Sequence, residues 1–361
     1  MKKLLALALA LVMVLGVCCA ANAESTSYVS WYTFADVFLS SVRSSLDEAL
    51  TAKGITFVDQ DANATQQTQT DQIATAIASN ASLLIINQVE SGTAGIGQNI
   101  VDTVKAANIP LIFFNRAVAT DDAEAAQIIK SYDKCVFVGT RQIDAGIMQG
   151  QLIGQYVVDH YDEIDLNKDG VISYVMFKGD EANPEAIMRT QYGVEDADKI
   201  ITAAGKPALS FYDPANTNKY LVDQNGTWSN GASFEYMQTI LAQYNEANNN
   251  MVELIICNND DMAFGAVNAL TNAGYNTGVE GAKVIPVFGV DATDVAKELI
   301  NAGRMTGTIK QDNVGMADAI ATIAANMLAG KDMFDGLNTA YTVEDGWKVV
   351  IPYAIYTGEA K

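Results

Sequence analysis

The stretch Asp165 to Arg189, DLNKDGVISYVMFKGDEANPEAIMR, joins an oxygen-rich loop to a polar helix start through one short apolar strand. Asp165, Asn167 and Asp169 place oxygen atoms on alternate residues, and Gly170 permits the sharp turn a calcium loop makes at its sixth position. Val171 would add a backbone carbonyl and Ser173 a hydroxyl. The twelfth position is Met176, where a helix–loop–helix calcium site places a bidentate Glu, so a missing carboxylate has to come from elsewhere. DLNKDG also reads as an Asp/Asn-rich turn whose side chains bond their own backbone.

Outward from this stretch, strand-like and helix-like runs alternate. Toward the N-terminus lie a strand at 28–34, a helix from Asp36 to Ala52 closed by Gly54, ITFVD at 55–59, and a polar helix around Ile73 and Ile77. LLII at 83–86, a helix carrying Ile96, Ile100 and Val104, LIFF at 111–114, Val136 to Val138 and a long helix near 142–161 follow. Toward the C-terminus come strands at 171–177, 253–257 and 284–290, helices from Pro184, at 292–302 and at 313–329, and a last strand near 348–355. Such alternation is the pattern of α/β layers with helices on both faces of a parallel sheet.

At 361 residues, 49% hydrophobic and 18% charged, the chain is long enough for two folded domains. It opens Met1-Lys2-Lys3, continues with the apolar run Leu4 to Val17 and reaches Ala21-Asn22-Ala23, the pattern of a secretory signal peptide. The mature chain is expected to begin near Glu24 as an exported soluble protein. Cys18 or Cys19 would be the acylated residue of a lipoprotein form, although Leu15-Gly16-Val17 is a poor processing signal.

The net charge is −21, and loss of Lys2 and Lys3 makes it two units more negative. A surface this acidic repels phosphate backbones and anionic lipid, which argues against nucleic-acid and membrane-surface partners. Cys135 and Cys257 sit in apolar runs and read as buried free thiols, and a single histidine, His160, excludes His-based triads and most zinc sites.

In open parallel sheets ligands bind beyond the carboxyl ends of the strands. Those ends carry Tyr32, Asp36 and Phe38; Asn115; Asn183, Glu185 and Arg189; Asn258, Asn259 and Asp260; and Asp291. Planar amides, carboxylates and a guanidinium can each bond two adjacent hydroxyls, and Phe38 and Trp228 could cover the C–H face of a polyol. Taken singly, Asp36 and Asp291 are also good helix N-caps and Asn115 a good turn residue.

These residues resemble those of the bacterial periplasmic D-galactose/D-glucose-binding proteins, the sugar receptors of an ABC importer that in some bacteria also serve chemotaxis. The likeness runs through Tyr32, Asp36 and Phe38; PLIFFN ending at Asn115; SYDKCVFVGT; DLNKDG; ELIICNNDDMAFGAV; and PVFGVDA with Asp291. It implies a type I periplasmic binding fold of two Rossmann-like lobes joined by a three-strand hinge, with residues 24–139 and 311–350 in one lobe and 140–310 and 351–361 in the other. It implies D-glucose or D-galactose bound by Tyr32, Asp36, Phe38, Asn115, Asn183, Glu185, Arg189, Trp228, Asn259, Asp291 and Gln311. It implies a structural calcium on Asp165, Asn167, Asp169, Val171 and Ser173, completed by Glu253. The implied partners are the membrane subunits of an importer and, in some bacteria, a chemoreceptor, with the receptor itself a monomer.

Asn183, Glu185, Gln311 and Ser173 depart from the family's usual His, Asp, Asn and Gln, which bears on sugar preference and on calcium affinity. Three rival readings remain on sequence grounds. Asp36, Glu185 and Asp291 could act as paired carboxylates in a glycosidase, but Arg189 and the surrounding amides would keep such acids ionised. A sugar-responsive repressor needs a basic helix-turn-helix where this chain has a leader. A pentose or a signalling furanose could replace the hexose.

Overall fold

A computed structural model describes residues 26–359. The leader, with the expected cleavage near Glu24 and the Cys18 and Cys19 alternative, lies outside the described residues. Within them, no helix is long and apolar enough to cross a membrane.

Two sheets organise the chain. The first holds β1 (Ser27–Trp31), β2 (Phe57–Asp61), β3 (Leu83–Ile86), β4 (Leu111–Phe114) and β5 (Cys135–Gly139), joined late in the chain by β12 (Thr342–Glu344) and β13 (Lys348–Val350). Its order is β12-β13-β5-β4-β3-β1-β2, parallel except for the β12–β13 pair. LLII and LIFF are buried along their whole length, as expected of strands covered on both faces.

Helices α1 (Val37–Ala52), α2 (Gln66–Ala78), α3 (Ala94–Ala106), α4 (Asp122–Lys130) and α10 (Asn313–Leu328) cover this sheet. α1 and α10 bury Leu39, Val42, Leu46, Met316, Ile320 and Ile323 against one face, and Ile100, Val101, Val104 and Ile128 line the other.

The second sheet runs β14-β11-β10-β9-β6-β7, from β6 (Ser173–Lys178), β7 (Ser210–Phe211), β9 (Leu254–Cys257), β10 (Val287–Asp291), β11 (Gly307–Lys310) and β14 (Ala354–Tyr356), with β8 (Leu221–Val222) beside β6. Only β14 is antiparallel. Its helices are α5 (Gln142–Ile164), α6 (Pro184–Ala203), α7 (Asn230–Gln243), α8 (Asp260–Asn272) and α9 (Asp294–Asn301). The chain passes between sheets at three places: after Gly139, after Lys310 and after Val350.

Three differences from the sequence pattern have physical causes. β1 stops at Trp31 instead of running to 34, because the backbone turns and the Asp61 carboxylate accepts the Phe34 N–H at 3.2 Å. β2 lies two residues later than ITFVD, fixed by its ladder from Ser27 opposite Phe57 to Trp31 opposite Asp61. The single last strand expected near 348–355 is two strands in different sheets. Pro352 has no N–H for a ladder, and the chain changes sheet around it. Cys135 and Cys257 are buried and free, and burial pushes both thiols up.

α5 and α6 approach closely because Gly146, Gly150 and Gly154 repeat every fourth residue on one helix face. A Cβ at Gly150 would lie 2.5 Å from the Tyr192 carbonyl oxygen, and one at Gly146 2.5 Å from that of Met188. Both obstacles are backbone atoms that cannot rotate away. α6 starts with Asn183 as its N-cap and carries Glu185 and Arg189, so this packing sets the position of three strand-end polar groups. Gly150→Ala is therefore expected to lower unfolding stability by about 1–3 kcal/mol, read from urea titration; an unchanged midpoint would show that the helices separate at no cost.

Candidate functional site

The carboxyl ends of the two sheets face each other across a cleft lined by Asp36, Phe38, Leu39, Asn115, Arg116, Asn183, Glu185, Arg189, Trp228, Asn259, Asp291 and Gln311. Every residue expected at the ligand is there except Tyr32. The cleft encloses about 380 Å3 of space, its mouth included.

Several of these side chains cap a helix while lining the cleft. Asp36 caps α1 by accepting the Leu39 N–H at 2.8 Å, and Asn259 caps α8 by accepting that of Met262 at 3.0 Å. Asn183 caps α6 through Oδ1, which accepts from the N–H groups of Glu185 and Ala186. With these oxygens engaged, the NH2 groups of Asn183 and Asn259 are what remains for a ligand. Capping and ligand binding are thus compatible roles. Asp291 is not the N-cap of α9; Thr293 is, by accepting the Ala296 N–H at 3.3 Å.

Asn115 ends β4 at φ +58°, a backbone conformation Asn tolerates better than most side chains, with its N–H on the Val138 carbonyl. Trp228 stands at φ +59° on the loop 223–229, which the Asp223 carboxylate ties together by accepting from Asn225, Thr227 and Ser229. Burial alone would raise the Asp223 carboxyl; these bonds outweigh it and hold the group below its ordinary range. Beneath the indole lies Gly179, where a Cβ would come within 2.1 Å of the ring.

Arg189 is 3% exposed. Its Nη1 donates to the Asn258 carbonyl at 2.9 Å, and Nη2 to Glu185 at 3.1 Å, Gln311 at 3.0 Å and the Tyr353 hydroxyl at 3.3 Å. Burial opposes the charge, but the neighbouring Tyr353, Glu185 and Asp291 hold it protonated. The expectation that Arg189 and the amides keep the cleft acids ionised does not hold for Asp291, which burial, with Asp260, Asp36 and Glu185, pushes well above the carboxylate range against the opposing pull of Arg189. Asp36 is raised mainly by burial.

Three buried N–H donors on this lining have no protein partner: Arg189 Nε, Gln311 Nε2 and Trp228 Nε1. Buried donors left without acceptors are costly, about 1–3 kcal/mol each. Their convergence on one cleft marks where ligand oxygens would sit.

Tyr32 is placed differently. Its hydroxyl donates to the Gly226 carbonyl of the opposite lobe at 3.2 Å and its ring lies under the Arg116 guanidinium at 4.0 Å, so it lines a side opening behind the cleft wall. Asn258 and Asp260, also at strand ends, are structural. Asn258 accepts the Gly179 N–H and donates to Thr190, and Asp260 accepts from Thr308 and Thr293. Arg116, Leu39 and Tyr353 were not foreseen. Arg116 directly follows the strand-end Asn115 and was there to be found; Tyr353 follows a proline in what reads as a strand and gives no such signal.

In the 165–173 loop Asp165, Asn167 and Asp169 accept the N–H groups of Gly170, Asp169 and Val171. Ser173 turns its hydroxyl to the Met251 carbonyl instead of into the loop. Glu253 does reach it: one oxygen accepts from Leu166 and Asn167, the other from Ser173. Among the described residues no three His, Cys, Asp or Glu side chains converge as a metal-binding group.

A family model described as periplasmic binding protein domain matches residues 27–332. The D-galactose/methyl-galactoside binding periplasmic protein MglB of Haemophilus influenzae is 32% identical over 333 residues, covering 92% of this chain and 89% of its own. A putative rhizopine-binding protein of Rhizobium meliloti is 25% identical, covering 86% and 87%. Among solved structures, a solute binding protein from Bacillus halodurans with bound myo-inositol superimposes with a TM-score of 0.68 at 21% identity, covering 94% and 96% of the two chains. Each of these is described as a binding protein. With two parallel sheets, a cleft between their carboxyl ends and a family match along most of its length, the chain belongs to the periplasmic binding protein family and is not an enzyme.

Proposed function

We propose that the chain is an exported receptor that closes on one monosaccharide, D-galactose or D-glucose, and delivers it to the membrane subunits of an ABC importer; the same closed form would be what a chemoreceptor reads. The lobes are taken as 24–139 with 311–350 and 140–310 with 351–361. The observation that carries the reading is the set of unpartnered N–H donors of Arg189, Gln311 and Trp228 in a cleft that also holds Asp36, Glu185 and Asp291. Donors and carboxylates in one enclosed space suit a ligand whose hydroxyls both donate and accept. Trp228 and Phe38 supply apolar faces, and the galactoside-binding relative supports a hexose.

A cyclic polyol such as myo-inositol is the second reading. It is suggested by the solved structure of the same fold with bound myo-inositol. On this reading the lobes swing apart about the three passages to admit either ligand and close on it again.

We further propose that the 165–173 loop and Glu253 hold a structural calcium. Two observations support it. Asp165 Oδ1 is buried without a partner, and burial, together with Asp165, raises the Glu253 carboxyl despite three backbone N–H donors. A cation there would satisfy the first and offset the second. Asp165, Asn167, Asp169 and Glu253 would hold it, with the Val171 carbonyl; Ser173 would reach it only by turning its hydroxyl away from Met251.

Calorimetric titration of refolded, ligand-stripped protein is expected to give saturable heat with D-galactose or D-glucose, and weaker or none with D-ribose. Folded protein silent to every hexose would sink the hexose reading, and heat with myo-inositol alone would select the polyol. Arg189→Ala should weaken binding at least about tenfold, the value of one charged hydrogen bond. For calcium, a chelator should lower the Tm while affinity for the bound sugar at low temperature stays within error; an unchanged melting curve would remove the ion from the proposal.

A further inference from the structure

The three passages between lobes meet at one hydroxyl. Thr140, just after β5, stands in the first passage; Gln311, just after β11, in the second; Tyr353, between β13 and β14, in the third. Tyr353 OH lies 2.9 Å from Thr140 Oγ1 and 3.4 Å from Gln311 Oε1. Thr140 Oγ1 also donates to Glu185 Oε1 at 3.2 Å, and Arg189 Nη2 donates to the Tyr353 oxygen, to Gln311 and to Glu185. Thr140, Arg189 and Gln311 are each 3% exposed or less. Burial and the Glu185 carboxylate keep the Tyr353 phenol protonated, so it remains both donor and acceptor.

We propose that Tyr353 is a positioning residue that couples occupancy of the cleft to the angle between the lobes. This rests on the solute-binding reading above. Tyr353 does not line the cleft, but the guanidinium and carboxylate that do share their hydrogen bonds with it. Rotation about the passages moves Thr140, Gln311 and Tyr353 relative to one another, so the ring of bonds closes in only one lobe arrangement. A ligand that fixes Arg189, Glu185 and Gln311 therefore favours the arrangement in which the Tyr353 hydroxyl finds all its partners. Because Thr140 gives its proton to Glu185, it accepts the single proton of Tyr353; without that hydroxyl Thr140 loses its donor and Arg189 loses an acceptor, and the closed form loses its advantage.

The test uses the chain from Glu24 onward, without the leader cysteines Cys18 and Cys19, with nitroxide labels on cysteines placed at exposed Glu48 on α1 and exposed Gln238 on α7. Buried Cys135 and Cys257 stay unlabelled. Distance distributions from pulsed electron resonance are compared for the parent, Tyr353→Phe and Thr140→Val, each without ligand and with the saturating ligand the parent binds. Both variants are expected to shift the distribution toward separated lobes, and Thr140→Ser, which keeps a hydroxyl, to restore it.

Affinity for whichever of D-galactose, D-glucose or myo-inositol the parent binds should fall about three- to tenfold in Tyr353→Phe, through faster dissociation. Folded variants with unchanged distances overturn the proposal, and so does weaker binding without a distance change, which would make Tyr353 only an indirect support of Arg189. If Tyr353→Phe fails to fold, Thr140→Val decides on the same readouts. If the parent binds none of the three, the solute assignment on which this proposal rests fails and takes the proposal with it; if the parent binds and closes while the variants close equally, only the Tyr353 proposal fails.

Discussion

A guanidinium kept out of water is the constraint around which the cleft is built. An uncompensated charge at that depth would cost several kcal/mol, so Arg189 must be met by acceptors on every side. One acceptor comes from its own helix, Glu185 at i−4; one from a strand end, the Asn258 carbonyl; two from the passages between lobes, Gln311 and Tyr353. These partners leave Nε unsatisfied. The protein thus compensates most of the charge by itself and leaves the Nε–H for a ligand.

The same economy recurs on both walls. A strand that ends at the cleft is followed by a helix whose first N–H groups need an acceptor, and Asp36, Asn183 and Asn259 meet that need with one oxygen each. The rest of each side chain is thereby fixed in direction at no further entropy cost when a ligand arrives. Trp228, in the same lobe as Asn183 and Asn259, is held by a loop whose turns are stitched to Asp223 and whose floor is a glycine. Preorganised amides, carboxylates and a fixed indole are what a receptor needs in place of the water a polyol gives up.

The lobes are also bridged by groups outside the cleft. Tyr32 spans the lobes through the Gly226 carbonyl, next to the loop that carries Trp228, while Thr140, Gln311 and Tyr353 tie the passages to Arg189. These cross-lobe bonds describe one arrangement of two rigid layers, each with its own buried core. Motion between such layers has few places to occur, and the three short passages are those places.

The alternating runs, LLII and LIFF above all, were legible in the sequence because burial on both faces leaves no polar position to break a strand, and strand-end amides and carboxylates followed from where those runs stop. The resemblance on Asp36, Phe38, Asn115, Arg189 and Asp291 placed the cleft on the same grounds. What sequence could not decide is which atom of each group faces the ligand and which distant partner holds it. Tyr32 shares its motif with Asp36 yet points to the other lobe, Ser173 has the right position in its loop but a nearer acceptor in Met251, and Pro352 sends one apparent strand into two sheets. Hydrophobic period is set by neighbours along the chain, whereas the bond from Arg189 to Gln311 spans 122 residues and that between Thr140 and Tyr353 spans 213. Contacts of that separation exist only once both sheets have formed and met, so the tertiary structure alone assigns them.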